Sequence, residues 1–212
     1  MLQKEYKTIL GDSHAKYEEK KSKFIAHAKS VSDEKEALEF INSKRTEFWD
    51  ATHNVFSYNV FEENFIQRSS DDGEPQGTAG LPVMEIINKS GLQNIVIVVT
   101  RYFGGTQLGA SGLIRAYGKS ASLCIDAAVI IKKVLCYEIN LMFEYSLIGK
   151  LQNNLMQKGY EIKNTKYEKD VEMTVLVPYD EFEKFTGIVN EALNARVIID
   201  VGDKVYQTIK LT

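Results

Sequence analysis

The order of apolar patterns in the last third of the chain restricts its fold more than any other feature of the sequence. The runs are, in order, a strand at 132–145, a helix at 146–159, strands at 160–170 and 171–178, a helix at 179–195 and a strand at 196–209. The order β-α-β-β-α-β is that of a ferredoxin-like domain. We therefore expect a ferredoxin-like domain over 136–212, preceded by a first domain over 1–135.

The preceding residues mix helical and strand-like patterns, and no Pro/Gly/Ser-rich linker divides them. We expect a helix over 32–48, a strand over 54–61, a short helix over 81–91, a fully buried strand over 94–100 and a helix over 111–129. The expected fold class is α+β. A chain of 212 residues is long enough for two small domains of this kind.

Charge and composition limit the classes of partner. The chain has a net charge of −3. Residues 1–135 are neutral overall and residues 136–212 carry the charge of −3, so binding of RNA must rest on a local basic patch. Cys124 and Cys136 lack metal-ligand spacing. No apolar run is long enough to span a membrane, and the first residues do not resemble a signal peptide. We predict a cytoplasmic protein with no membrane contact, metal or cofactor.

The stretch TRYFGGTQLGASGLIRAYG, residues 100–118, joins the buried strand to a helix that Ser111 could cap. A glycine-rich turn of this kind directs backbone N–H groups and the positive end of a helix dipole to one place, which suits an anion. A P-loop is not formed, because Ala110 stands where that motif has lysine. The alternative is that the glycines only permit positive φ and close helix–strand packing.

We expect basic and aromatic side chains to line the same open pocket as the backbone N–H groups of this turn. Arg101 and Arg115 could present guanidinium forks to phosphate, and Tyr102 or Phe103 could stack on a base. The predicted ligand-binding residues are Lys23, His53, Arg101, Tyr102, Gly104, Gly105, Gly109, Ser111, Gly112 and Arg115.

A loop rich in acidic residues, SSDDGEPQGTAGLP at 69–82, allows two interpretations. Asp71, Asp72 and Glu74 could hold a divalent metal, with His53 as a nitrogen ligand or base. Alternatively, these carboxylates cap turns or pair with Arg101 or Arg115.

Four blocks together resemble one family. The sequences SKFIA, ATHNVFSY, DDGEPQGTAGLP and VVTRYFGGTQLGASGLIRAYG are similar to the signature blocks of the IMPACT family in its two-domain bacterial form. The blocks lie between Ser22 and Gly118. One departure is Val55, because family members often have cysteine after THN, and this weakens any thiol chemistry here.

The resemblance implies a fold and a role. It implies a first domain similar to the second domain of ribosomal protein five of the small subunit and to domain four of elongation factor G, and a second domain similar to domain five of that factor. Family motif positions fall on Lys23, His53, Asp72, Glu74, Arg101, Arg115 and Tyr117.

The function expected from these features is a translation-linked regulatory factor that binds RNA or the ribosome, more as a binding protein than as an enzyme. An enzyme acting on a phosphorylated or peptide substrate, with a metal at the acidic loop, is the first alternative. A module that docks a ribosome-associated protein through the acidic second domain is another.

Overall fold

The computed structural model describes residues 3–62 and 64–211. The chain divides into two compact units, a first unit of Met1–Lys132 with Lys210–Thr212 and a second unit of Lys133–Ile209. The boundary expected between 135 and 136 falls inside strand β7 (Ile130–Phe143). Within the described residues, no helix has both the length and the apolar character needed to cross a membrane.

The first unit is built on an antiparallel sheet. The elements of this unit are, in chain order, β1 (Glu5–Ile9), β2 (Asp12–Glu19), β3 (Ser22–Ser30), α1 (Glu34–Glu47), β4 (His53–Phe61), β5 (Phe65–Ser70), α2 (Gly80–Ser90), β6 (Ile95–Tyr102) and α3 (Ala110–Asp126). The strand order is β2-β3-β6-β4-β5, and every neighbouring pair is antiparallel. Strand β6 is therefore central, as its continuous apolar run requires.

Helices cover both faces of this sheet. On one face, Phe24 of β3 and Ile97 of β6 pack against α2 and α3, where Tyr117 is fully buried. On the other face, Val96 and Val98 pack against α1. The alternation of β6 side chains between two cores fixes its register, because a slip by one residue would exchange the two faces.

The helix ends follow local chemistry. Asp33 accepts a hydrogen bond from the N–H of Glu36 at 2.7 Å and so caps α1. Gly91, in the left-handed conformation with φ 68°, ends α2. The expected cap at Ser111 is wrong, since α3 already begins at Ala110 after Gly109, and no side chain caps it.

The second unit has the topology that the sequence predicts. After β7 come α4 (Ile148–Gln157), β8 (Glu161–Tyr167), β9 (Val171–Pro178), α5 (Phe182–Leu193) and β10 (Ile198–Lys210). Strand β7 pairs with β9 and β10, and β9 pairs with β8. This order, β10-β7-β9-β8, is that of a ferredoxin-like sheet, so the α+β fold class is confirmed.

His27 of β3 gives the first unit a pH-dependent stability. Its ring stacks on His14 at 6.1 Å and packs against Phe48 at 5.4 Å, and its buried Nε2 has no hydrogen-bond partner among residues 3–62 and 64–211. Burial first, and the charge of Lys44 second, lower the pKa of His27 from 6.5 to about 4. Protonation therefore favours the unfolded chain, so this stability is present above pH 6.5 and lost as the pH falls towards 4.

We expect His27→Phe to remove this pH dependence. The wild type should lose roughly 1–2 kcal/mol more than the variant between pH 7 and pH 4, after allowance for the solvent that still reaches the ring. Urea unfolding at several pH values measures the difference, and His14→Phe, at the exposed paired position, is the control. The same pH dependence in wild type and His27→Phe would contradict this role of His27.

Candidate functional site

The loop between β5 and α2 uses its first carboxylate to hold its own backbone. The carboxylate of Asp71 accepts hydrogen bonds from three N–H groups, those of Gly77 (2.8 Å), Ala79 (3.1 Å) and Gly80 (2.8 Å). Gly77 lies in the loop, whereas Ala79 and Gly80 are the N-cap and the first residue of α2, and the N-cap side chain makes no hydrogen bond to the helix. Asp71 therefore satisfies donors that the helix end leaves free.

Asp72 ties the same loop to β4 and α1. Its Oδ2 accepts the N–H of Asn54 at 2.7 Å, and its Oδ1 accepts from Nη2 of Arg45 at 3.1 Å. The backbone carbonyl of Asp72 lies 2.8 Å from Nδ1 of His53. Because a carbonyl can only accept, Nδ1 carries the ring hydrogen, and Nε2 of the neutral ring is an acceptor.

Glu74 lies at the centre of a buried polar network. Its Oε1 accepts from Nη1 of Arg101 at 2.6 Å and from the hydroxyl of Tyr117 at 2.7 Å, and Nε2 of His53 lies 3.8 Å away. The side chains of Glu74 and Arg101 are only 4% and 6% exposed. Burial first, and the Glu74 hydrogen bond second, raise the pKa of Tyr117 and keep its hydroxyl a donor.

All three carboxylates of the acidic loop therefore make structural contacts. Over residues 3–62 and 64–211, no group of three or more His, Cys, Asp or Glu side chains is arranged to hold an ion. The interpretation in which the loop pairs with arginines agrees with the structure, because Glu74 pairs with Arg101. Asp72 pairs with Arg45, which was not one of the two expected arginines.

The expected convergence of Arg101 and Arg115 is wrong. Arg101 is buried because Glu74 neutralises it, and its Nη2 also donates to Ser22 at 3.4 Å. Arg115 is exposed on α3 and lines a separate cavity of about 300 Å³ with Lys20 and Glu19 of the β2–β3 turn. The two guanidinium groups therefore do not form one anion pocket.

Two glycines of the glycine-rich turn have clear structural roles. Gly109, with φ 72°, permits the turn into α3. A Cβ at Gly104 would stand 2.0 Å from the carbonyl carbon of Lys21, and the N–H of Gly104 donates to Ser22 at 3.2 Å. Of the other predicted glycines, Gly105 also has positive φ, at 82°, and Gly112 lies in the first turn of α3.

Lys23 and Tyr102 belong to a different surface from Arg101. They face each other across the β3–β6 pair and line a cavity of about 730 Å³ on the sheet. We name this surface the basic-aromatic face and define it by Lys16, Lys21, Lys23, Tyr102 and Phe103. Within the described part of the chain, none of its three lysines forms an ion pair, and Phe103 is 49% exposed.

Sequence reasoning missed two contributors to this region. Lys16 was missed because the polar strand β2 has no strong apolar alternation. The turn at Lys20 and Lys21, between two strand-like segments, was the one signal that could have indicated this hairpin. Trp49 is 82% exposed, and its neighbour Asp50 accepts the Tyr102 hydroxyl at 2.8 Å. A lone tryptophan in a polar stretch could have indicated an interaction surface.

Models of two protein families match the chain. The Impact N-terminal domain matches residues 20–125, which include the basic-aromatic lysines Lys21 and Lys23 and the whole Glu74 network. A domain of unknown function, DUF1949, matches residues 141–196 within the second unit.

Relatives support the same assignment. The chain is 40% identical over 186 residues to the IMPACT family member YvyE of Bacillus subtilis (strain 168), covering 88% of this chain and 86% of that protein. It is 33% identical to the IMPACT family member YigZ of Escherichia coli (strain K12), covering 79% and 83%. The Protein IMPACT homolog of Dictyostelium discoideum is 38% identical over 43% of this chain and 27% of its own length.

A solved structure extends the likeness to the fold. The crystal structure of a hypothetical protein matches with a TM-score of 0.63 and 27% identity, covering 95% of this chain and 98% of the other. This likeness in fold agrees with the likeness in sequence to YvyE, which is 40% identical over most of both chains. The chain therefore belongs to the IMPACT family and has the two-domain architecture of its bacterial members.

Proposed function

We propose that the chain binds single-stranded RNA through the basic-aromatic face, as part of a translation-linked role at the ribosome. The observation that carries the proposal is the cavity of about 730 Å³, where three lysines that form no ion pair among the described residues stand beside Tyr102 and the exposed ring of Phe103. Membership of the IMPACT family supports a translation-related regulatory protein at the level of the family.

The chemistry of this face suits a single strand. Lysines without carboxylate partners can neutralise backbone phosphates and release counterions. An exposed ring such as Phe103 offers a stacking surface for a base of any identity. Strands β2, β3 and β6 hold these groups on one rigid sheet, so little ordering is needed on binding.

Local charge favours binding although the first unit has no excess of positive charge overall. Lys20 and Arg115 lie beside the face and add to its positive potential. Glu18 lines the cavity and opposes binding, whereas Glu19 accepts the Tyr17 hydroxyl at 2.6 Å. Asp50, which accepts the Tyr102 hydroxyl, is a third acid at this region. The four lysines and the arginine outnumber the three acids, so the region attracts phosphate.

The double substitution Lys21→Ala, Lys23→Ala should weaken RNA binding about tenfold at physiological salt. Loss of two phosphate contacts should also lower the slope of log affinity against log salt by ~1.4. Fluorescence anisotropy with a labelled ten-nucleotide uridine RNA, at several salt concentrations, measures both quantities.

The matched control is Lys150→Ala, Lys158→Ala, which removes the same charge from exposed sites on and after α4. The control should leave affinity and slope near those of the wild type. Equal losses in the two double variants would point to a diffuse charge effect and contradict a site on this face.

A further inference from the structure

We propose that a cavity beside the basic-aromatic face receives one guanine base of the bound RNA. This inference rests on the proposed function, because the cavity is relevant to RNA only if a strand lies on the face. We name it the Glu74 cavity. It measures about 400 Å³, and its lining includes His53, Glu74, Phe103, Leu108 and Leu113.

Phe103 connects the two sites. Its ring lines both the cavity of the basic-aromatic face and the Glu74 cavity. The guanidinium of Arg101 lies 5.6 Å from the ring centroid, and Glu74 holds Arg101 in place. A base next to one stacked on Phe103 therefore reaches the mouth of the Glu74 cavity without a change in the backbone of the sheet.

The walls of the cavity suit the faces of an aromatic ring. Pro75, Phe103, Leu108 and Leu113 supply apolar surface, and the volume is within the range of small-ligand sites. Proteins read unstacked RNA bases in this manner, with apolar or aromatic contacts on the ring faces and hydrogen bonds on the base edge.

The charged and titratable residues that line the cavity are His53, Glu74 and Arg101, and the Arg101 guanidinium already donates to Glu74 and Ser22. The acceptors on Glu74 and His53 therefore determine which donors of a base edge fit. The hydrogen bonds from Arg101 and Tyr117 to Glu74 both fall on Oε1, and within the described residues Oε2 takes part in no hydrogen bond or ion pair. In the neutral ring of His53, Nδ1 donates to the Asp72 carbonyl and leaves Nε2 as an acceptor. The cavity thus offers a carboxylate and an imidazole nitrogen in close proximity, since Nε2 of His53 lies 3.8 Å from Oε1 of the same Glu74 carboxylate.

Guanine is the base that complements two neighbouring acceptors. Its pairing edge carries two adjacent donors, the ring N1–H and the 2-amino group. Adenine and cytosine offer one amino group beside an acceptor, and uracil offers one N–H between two acceptors. A base that leaves a buried acceptor unpaired, or sets an acceptor against it, is disfavoured.

Base substitution tests the inference on the wild-type protein. Anisotropy titrations would compare a ten-nucleotide uridine RNA with the same RNA carrying one central guanosine or one central inosine, which lacks the 2-amino group. We expect the guanosine RNA to bind about tenfold more tightly than the uridine RNA. Inosine should lose most of that gain, because it has lost one of the two donors.

A variant that fills the cavity tests its location. Ala110 is exposed at the start of α3 and lines the cavity, so Ala110→Phe should bring the guanosine-to-uridine affinity ratio close to one. Ala127→Phe, at the exposed far end of the same helix, is the matched control and should keep the wild-type ratio. Circular dichroism would verify the fold of both variants.

The outcomes separate this inference from the proposed function. Binding of all three RNAs with equal affinity would overturn the guanine site and leave RNA binding in place. Preference for another base, or a ratio that survives Ala110→Phe in a folded protein, would also overturn it. If no RNA binds to the wild type, the proposed function fails and the guanine site fails with it.

Discussion

Replacement of Glu74 by alanine is expected to lower the free energy of unfolding of the first unit by about 3–5 kcal/mol. The carboxylate accepts from Arg101 at 2.6 Å and from Tyr117 at 2.7 Å, and all three residues are buried. Its removal leaves the Arg101 charge without a counterion and the Tyr117 hydroxyl without an acceptor. Both losses carry the full desolvation penalty of a buried polar group.

Hydrogen exchange at the amides of β6 measures this loss most directly. Residues Ile95–Val99 are fully buried, so their amides exchange mainly through unfolding of the unit. The control is Glu85→Ala, which removes an exposed carboxylate 3.7 Å from Lys89 and should cost less than about 1 kcal/mol.

A second variant separates the charge from the packing. Substitution of both partners, Glu74→Leu with Arg101→Leu, removes the unpaired charge and should recover part of the stability that Glu74→Ala loses. A loss in Glu74→Ala no greater than in Glu85→Ala would show that the buried pair does not hold the loop to the sheet.

Gly104→Ala is expected to destabilise the first unit by at least ~3 kcal/mol. The new Cβ would stand 2.0 and 2.2 Å from the carbonyl carbon and oxygen of Lys21 and 2.3 Å from the nitrogen of Ser22. These are backbone atoms of the β2–β3 turn, so they cannot move aside as a flexible side chain could. The substitution should also displace Lys21 and weaken RNA binding.

Gly118→Ala is the matched control for this substitution. Gly118 lies within α3, where an added Cβ first meets Ile86 at 4.0 Å. Alanine should therefore stabilise the helix by about 0.5–1 kcal/mol. Hydrogen exchange at the β6 amides measures the free energy of unfolding of both variants. A Gly104→Ala protein within 1 kcal/mol of the wild type would show that the turn can yield.

The sequence predicted the elements whose apolar period is strong. Strand β6 is continuously apolar, and the second unit alternates clearly between strand and helix, so both were assigned correctly. No strand was predicted before residue 54, so β1, β2 and β3 were missed, as was β5. In β2 and β5 most side chains are exposed or half-buried and carry little periodic apolar signal. Their assignment depends on pairing with β3 and β4, which a local pattern does not contain.

The sequence predicted which residues belong to the region of the candidate site but not how their side chains pair. The glycine-rich turn, Lys23, His53, Tyr102 and Arg101 do lie in the same unit, as their clustering suggested. The partner of Arg101 could not be assigned, because Glu74 is 27 residues away and competed with Asp71 and Asp72 for the same role. That single pairing turns Arg101 from a ligand-binding group into part of the core.

Nuclear magnetic resonance would show whether RNA lies on the basic-aromatic face. Backbone amide shifts of the full chain would be followed during titration with a ten-nucleotide uridine RNA. We expect the largest shift changes at residues 16–25 and 102–103. Changes confined to residues 133–209, or no changes at RNA concentrations that saturate binding, would contradict binding at this face.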